Sequence, residues 1–141
     1  MTLLRNFILF ASAFLSINGA AIAQATRVLH QTFEFPDEVS SIESTIAKDS
    51  VEIVTWQGIN ILTETTILLE QASKAIMDNA VEEGRYKLSA TASDGTLVIN
   101  FEQPGRRELR VRGATCYEKV SVRIYIPDTF EPNGDQKWRK K

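Results

Sequence analysis

Apolar and polar residues alternate with period two along most of this chain, the pattern of strands with one buried face. Leu29, Phe33 and Phe35 fall on one side of a first predicted strand, with His30, Thr32 and Glu34 on the other, and Pro36-Asp37 ends it. A weaker strand is predicted over 39–47, with Ile42 and Ile46 in phase, before the turn Lys48-Asp49-Ser50. Val51 and Ile53 then alternate with Glu52 and Val54 up to Trp56, and Gln57-Gly58 breaks the run. The strongest strand is predicted over 59–70: Ile59, Ile61, Thr63, Thr65, Ile67 and Leu69 share a face, and the run is rich in β-branched residues. Leu62 and Leu68 lie on its other side, so both faces are expected to be partly covered.

The period changes after Gln71. Ala72, Ala75, Ile76, Met77, Ala80 and Val81 are spaced at three and four, which predicts a short amphipathic helix over 72–83. Ser73 suits its N-cap, and Gly84 stands where a left-handed residue closes a helix. Two alternating runs follow, 86–92 and 96–102, joined through Ser93-Asp94-Gly95; Asp-Gly between such runs predicts a tight hairpin. Leu97, Ile99 and Phe101 form the inward row of its second arm. Residues 106–115 are less regular, with a brief strand at Leu109 and Val111. Val120, Val122, Ile124 and Ile126 make a final strand stopped by Pro127-Asp128. From Glu131 onward the chain is polar and is expected to be a frayed tail. This order predicts a mainly β domain, a twisted antiparallel sheet or sandwich with one short helix packed on it.

Residues 1–23 have the layout of a cleavable export signal. Arg5 supplies the positive start, Phe7 to Ile17 the apolar stretch, and Ala21-Ile22-Ala23 a small-x-small cleavage box; Ala23-Gln24-Ala25 offers a second one. Removing 23 of 141 residues leaves 118, enough for one domain. The expected organisation is a leader at 1–23, one β-rich domain at 24–132 and a disordered basic tail at 133–141. The protein is then expected in the periplasm or at the cell surface. No later apolar run reaches spanning length, so no membrane segment is expected after cleavage.

Loss of Arg5 leaves 15 basic side chains of the original 16 against 18 acidic ones, a net charge of −3. That mild balance argues against a nucleic-acid partner. Cys116 is the lone cysteine, so no internal disulfide forms. It reads as a small buried hydrophobe or as a thiol for an intermolecular bond.

No catalytic set is legible. His30 is the single histidine, Gly-x-Ser-x-Gly is absent, and one His with one Cys does not make a usual zinc site. No phosphate-cradling glycine motif occurs either. The sequence therefore points to no catalytic residue, metal or cofactor. Candidate binding residues are Arg106, Arg107, Arg110 and Arg112, four guanidinium groups within seven positions. They suit an acidic polysaccharide, lipopolysaccharide phosphates or an acidic protein. The same charges on an edge strand or loop also block sheet-to-sheet aggregation. Trp56 is either a sugar-stacking platform or a cap on the core. Lys137-Trp138-Arg139-Lys140-Lys141 is either a contact to anionic membrane or a disordered end.

The run Asp49-Ser50-Val51-Glu52-Ile53-Val54-Thr55-Trp56, followed by Ile59-Asn60-Ile61-Leu62-Thr63-Glu64, resembles the opening of the adhesin-like secreted bacterial domains. These form an auto-transporter adhesin head-like family of Bacteroidetes type, with no assigned function. Glu70-Gln71-Ala72-Ser73-Lys74-Ala75, the Asp-Gly hairpin and Val120-Ser121-Val122-Arg123-Ile124-Tyr125-Ile126-Pro127 fit the same group in the same order. The likeness covers residues 40–130. It implies the opening module only, because longer members continue into further short strands stacked as a β-solenoid. It transfers no site residue. The expectation is a non-enzymatic exported module for cell-envelope association or adhesion, with a glycan or protein partner. The alternative is a periplasmic sensor or regulatory module that binds protein through a bare strand edge or the helix.

Overall fold

The computed structural model describes residues 23–141. The expected leader, apart from Ala23, lies outside the described residues. The elements are β1 (Gln24–Phe33), β2 (Ser41–Ser44), β3 (Val51–Trp56), β4 (Ile61–Glu70), α1 (Lys74–Glu82), β5 (Leu88–Ser93), β6 (Thr96–Phe101), β7 (Arg110–Val111), β8 (Ala114–Thr115), β9 (Tyr117–Pro127), β10 (Phe130–Pro132) and β11 (Lys137–Lys140). The domain is mainly β with one helix, as the alternation predicts.

Two sheets share a core. One has the order β1-β4-β9-β3 and the other β10-β11-β2-β6-β5, with β7 and β8 forming a separate small ribbon. Most pairings are antiparallel, but β3 runs parallel to β9 and β2 parallel to β6. The sheets are therefore mixed rather than wholly antiparallel. Each parallel pair is joined through other elements, since a tight turn reverses the chain.

Period two decides which face of β4 is inside. Ile61, Thr63, Thr65, Ile67 and Leu69 are all buried, and the alternate residues are half-covered. Ile59, expected in the same row, is 83% exposed because the strand begins two residues later. The inner row serves two clusters. At one end Ile61, Ile124 and Ile126 meet Ile42, Leu97, Ile99 and Phe130 of the facing sheet. At the other, Ile67 and Leu69 meet Met77 and Ala80 of α1, together with Tyr86 and Cys116.

Local chemistry sets the connections. Ser73 caps α1 by accepting the Ile76 amide at 3.3 Å, and Gly84, at φ +75°, closes it. Asp94 and Gly95, with φ of 50° and 79°, make the β5–β6 hairpin. Between the clusters the Gln31 side chain both donates to the Leu88 carbonyl (3.1 Å) and accepts from its amide (3.0 Å). In this way it joins edge strand β1 to the start of β5. Arg27 holds Asp78 at 2.6 Å and so ties β1 to the helix.

The end of the chain corrects an expectation. Residues 133–141 are not a frayed tail: β11 lies between β10 and β2, with Trp138 opposite Ile42 and packed on the core. The apolar anchors Phe130 and Trp138 flank Asn133-Gly134, a turn pair that reverses the chain and returns the basic residues to a sheet.

Two outcomes follow in urea unfolding. Ile124→Ala, which empties a fully buried site, lowers stability by about 3 kcal/mol with an unchanged m-value. Removal of residues 133–141 takes a central strand from its sheet and lowers the midpoint sharply, where loss of a frayed tail leaves it unchanged.

Candidate functional site

Glu118 lies on β9 in phase with Val120, Val122, Ile124 and Ile126, so the strand carries its carboxylate to the inner face opposite Leu69. An ionised group there requires partners. Arg85 and Tyr86, just beyond the helix-closing Gly84, supply them. Arg85 Nε donates to Glu118 Oε2 at 2.9 Å and its Nη2 to Oε1 at 3.1 Å. The Tyr86 hydroxyl donates to Oε2 at 2.5 Å, and the Tyr86 side chain is fully buried. The same Arg85 Nη2 donates to the Arg107 carbonyl at 2.6 Å and fixes the following loop.

A second guanidinium completes the cluster. Arg106 stacks over Phe101 at 4.8 Å and near Tyr86 at 5.7 Å, while its Nε stands 3.6 Å from Glu118 Oε1. Burial by itself raises the Glu118 carboxyl pKa. The hydrogen bonds from Arg85 and Tyr86 and the charges of Arg85 and Arg106 outweigh it and hold the group below its ordinary value. Tyr86 moves the other way: burial, then Glu118, pushes its hydroxyl far above the usual phenol range.

The four arginines of the sequence separate into two roles. Arg106 is half-buried in this cluster. Arg107, Arg110 and Arg112 are exposed on the loop and the β7–β8 ribbon, and none forms an ion pair among the described residues. Arg112, at φ 52°, and Gly113, at φ 79°, turn that ribbon. A groove of about 540 Å³ beside α1 has Leu109 and Val111 on one wall, with Arg110 and Arg112 at the same edge.

Trp56 stands apart from these arginines, on β3. Its indole N–H donates to the Asn60 carbonyl at 2.9 Å, and its ring covers Gly58, where an added Cβ would collide with the ring. One ring face is thus spent on its own turn. Cys116 is buried and points its thiol at the Glu70 carbonyl, 2.9 Å away; burial first, then the negative charge of Glu118, raises its pKa. His30 is exposed on the outer side of β1. No group of three or more metal-ligating side chains occurs among the described residues, and no helix there is long and apolar enough to cross a membrane.

Sequence reasoning passed over Glu118, Arg85 and Tyr86. The signal was present in β9, where a carboxylate occupies the apolar phase and so demands a buried cation. No family model, curated protein or solved structure matches this chain.

Because the folded-state pKa of Glu118 is depressed, its contribution to stability is full above the ordinary carboxylate pKa, 4.5, and is lost as pH falls through the lower folded value. Glu118→Gln leaves Arg85 and Arg106 without a counter-charge. It lowers stability at pH 7 by about 3 kcal/mol and flattens the acid limb of a stability–pH curve. Tyr86→Phe, which removes one hydrogen bond and keeps the ring, costs about 1 kcal/mol.

Proposed function

We propose that this chain is an exported, non-catalytic β-rich module that attaches to anionic components of the cell envelope through Arg107, Arg110 and Arg112. The observation that carries this reading is the contrast within the arginine cluster. Arg106 is engaged with Glu118, Phe101 and Tyr86, whereas its three neighbours project from a loop and ribbon without acidic partners among the described residues. Guanidinium groups spaced in this way suit repeated carboxylates or phosphates of an envelope polymer. The resemblance to the adhesin-like secreted domains belongs to the same proposal.

The register of β1 bears on where the proposed leader is cut. Gln24, the first residue after the proposed cleavage, pairs with Glu70, and Ala25 is buried opposite Leu69. Cleavage at the second box would remove Ala25 from the core, so processing after Ala23 is the proposed event. The regulatory alternative draws on β1 itself, an edge strand of ten residues with Val28 43% exposed, which offers free backbone groups to a partner strand.

Pull-down with acidic envelope polysaccharide and lipopolysaccharide tests the reading. The processed protein is retained, retention falls as salt rises, and Arg107→Ser/Arg110→Ser/Arg112→Ser reduces it at least tenfold without moving the melting temperature. Equal retention of the triple variant overturns the assignment. Intact mass from a periplasmic extract is expected to place the new N-terminus at Gln24.

A further inference from the structure

Next to the Glu118 cluster is an open cleft of about 430 Å³. One wall is the 45–50 segment between β2 and β3, and the other is the 100–108 stretch, the end of β6 and the loop after it. Its volume falls within the range of small-molecule sites. Arg106 lines it, and the charge around Arg106 does not balance. The two oxygens of Glu118 already accept three hydrogen bonds, two from Arg85 and one from Tyr86. Two guanidinium groups therefore share one carboxylate. Among the described residues Arg106 Nε is buried without a hydrogen-bond partner, its nearest acid oxygen being 3.6 Å away. Its side chain is only 19% exposed. A cation so withdrawn from water gains most from an acceptor brought to it. Arg107 lines the same cleft and adds positive charge; Glu108, also on the wall, accepts the Thr115 hydroxyl at 3.4 Å.

We propose that this cleft binds one acidic sugar unit, its oxyanion held by the Arg106 guanidinium. The rest of the lining fits a polyol rather than a bare ion. Asn100, Ser50 and Thr45 offer amide and hydroxyl groups, while Phe101 and Pro104 give apolar surface for the carbon face of a sugar ring. The carboxylate of a uronic acid and the phosphate of a phosphosugar share the required chemistry. This inference rests on the reading of the chain as a binder of envelope polyanions and adds a recognition subsite to it: the exposed arginines hold the polymer, and Arg106 reads one unit.

The test is an amide NMR titration of the processed chain with glucuronate, glucose 6-phosphate, glucose and inorganic phosphate. Glucuronate or glucose 6-phosphate is expected to shift the amides of Asn100, Phe101 and Arg106, and to bind at least tenfold more tightly than glucose or inorganic phosphate. The tighter of the two acids identifies the oxyanion. Arg106→Gln abolishes the shifts. Should that variant fail to fold, Ala47→Trp, an exposed site on the cleft wall, blocks the space without touching the charge cluster and abolishes them equally. Absence of binding by both acids, equal binding of glucose, or unchanged binding to Ala47→Trp overturns the proposal. Inorganic phosphate binding as tightly as the sugar acids also overturns it, since an anion site alone does not recognise sugar. Arg110→Ser/Arg112→Ser weakens retention on the polymer but leaves these titrations unchanged, so the two readings fail separately.

Discussion

Glu118 enters the interior on the same side of β9 as Val120, Val122, Ile124 and Ile126, and much of the surrounding structure answers the need to neutralise it. A carboxylate withdrawn from water is costly until paired and hydrogen-bonded. The chain meets that demand with two consecutive residues, Arg85 and Tyr86, delivered by the end of α1. Arg85 then reaches the Arg107 carbonyl, and Arg106 stacks between Phe101 and Tyr86. One buried charge thereby sets the position of the helix terminus, the loop after β6 and the start of β9. The loop that displays the exposed arginines is held in place from below by the same carboxylate.

The remainder is held by the inner row of β4, which is not uniformly apolar. Thr63 and Thr65 occupy its middle, between Ile61, which meets the facing sheet, and Ile67 and Leu69, which meet α1. The Thr63 hydroxyl lies 3.5 Å from the Gln31 carbonyl, and the Gln31 amide satisfies both backbone groups of Leu88. A polar belt thus separates two hydrophobic clusters and fixes how β1 meets β5. Apolar contact alone would leave that register less defined, because hydrophobic packing has little directionality.

The strands, the helix and the hairpin were legible in the sequence because each follows from a local rule: alternation in β4 and β9, the Ser73 cap with Gly84, the Asp94-Gly95 turn. What was not legible depends on partners distant in the chain. Parallel pairing of β2 with β6 and of β3 with β9 leaves no local mark. Residues 133–141 look solvated when charge is counted, yet Trp138 and the Asn133-Gly134 pair gave enough to expect a strand and a turn. The arginine cluster stood out as four alike residues, and only the position of Glu118 separates Arg106 from the other three. Trp56 likewise carried no sign that Gly58 would occupy one face of its ring.

The strand order β1-β4-β9-β3 has a consequence for the way the sheet is put together. β3 has β9 as its hydrogen-bonded neighbour in that sheet, although β9 is the last of the four to be made. A ribosome, or any channel that delivers the chain N-terminus first, releases β1, β3 and β4 before the strand that joins β3 to the β1–β4 pair. The sheet therefore closes only after residue 127 has emerged, and up to that point β3 has nothing to zip against.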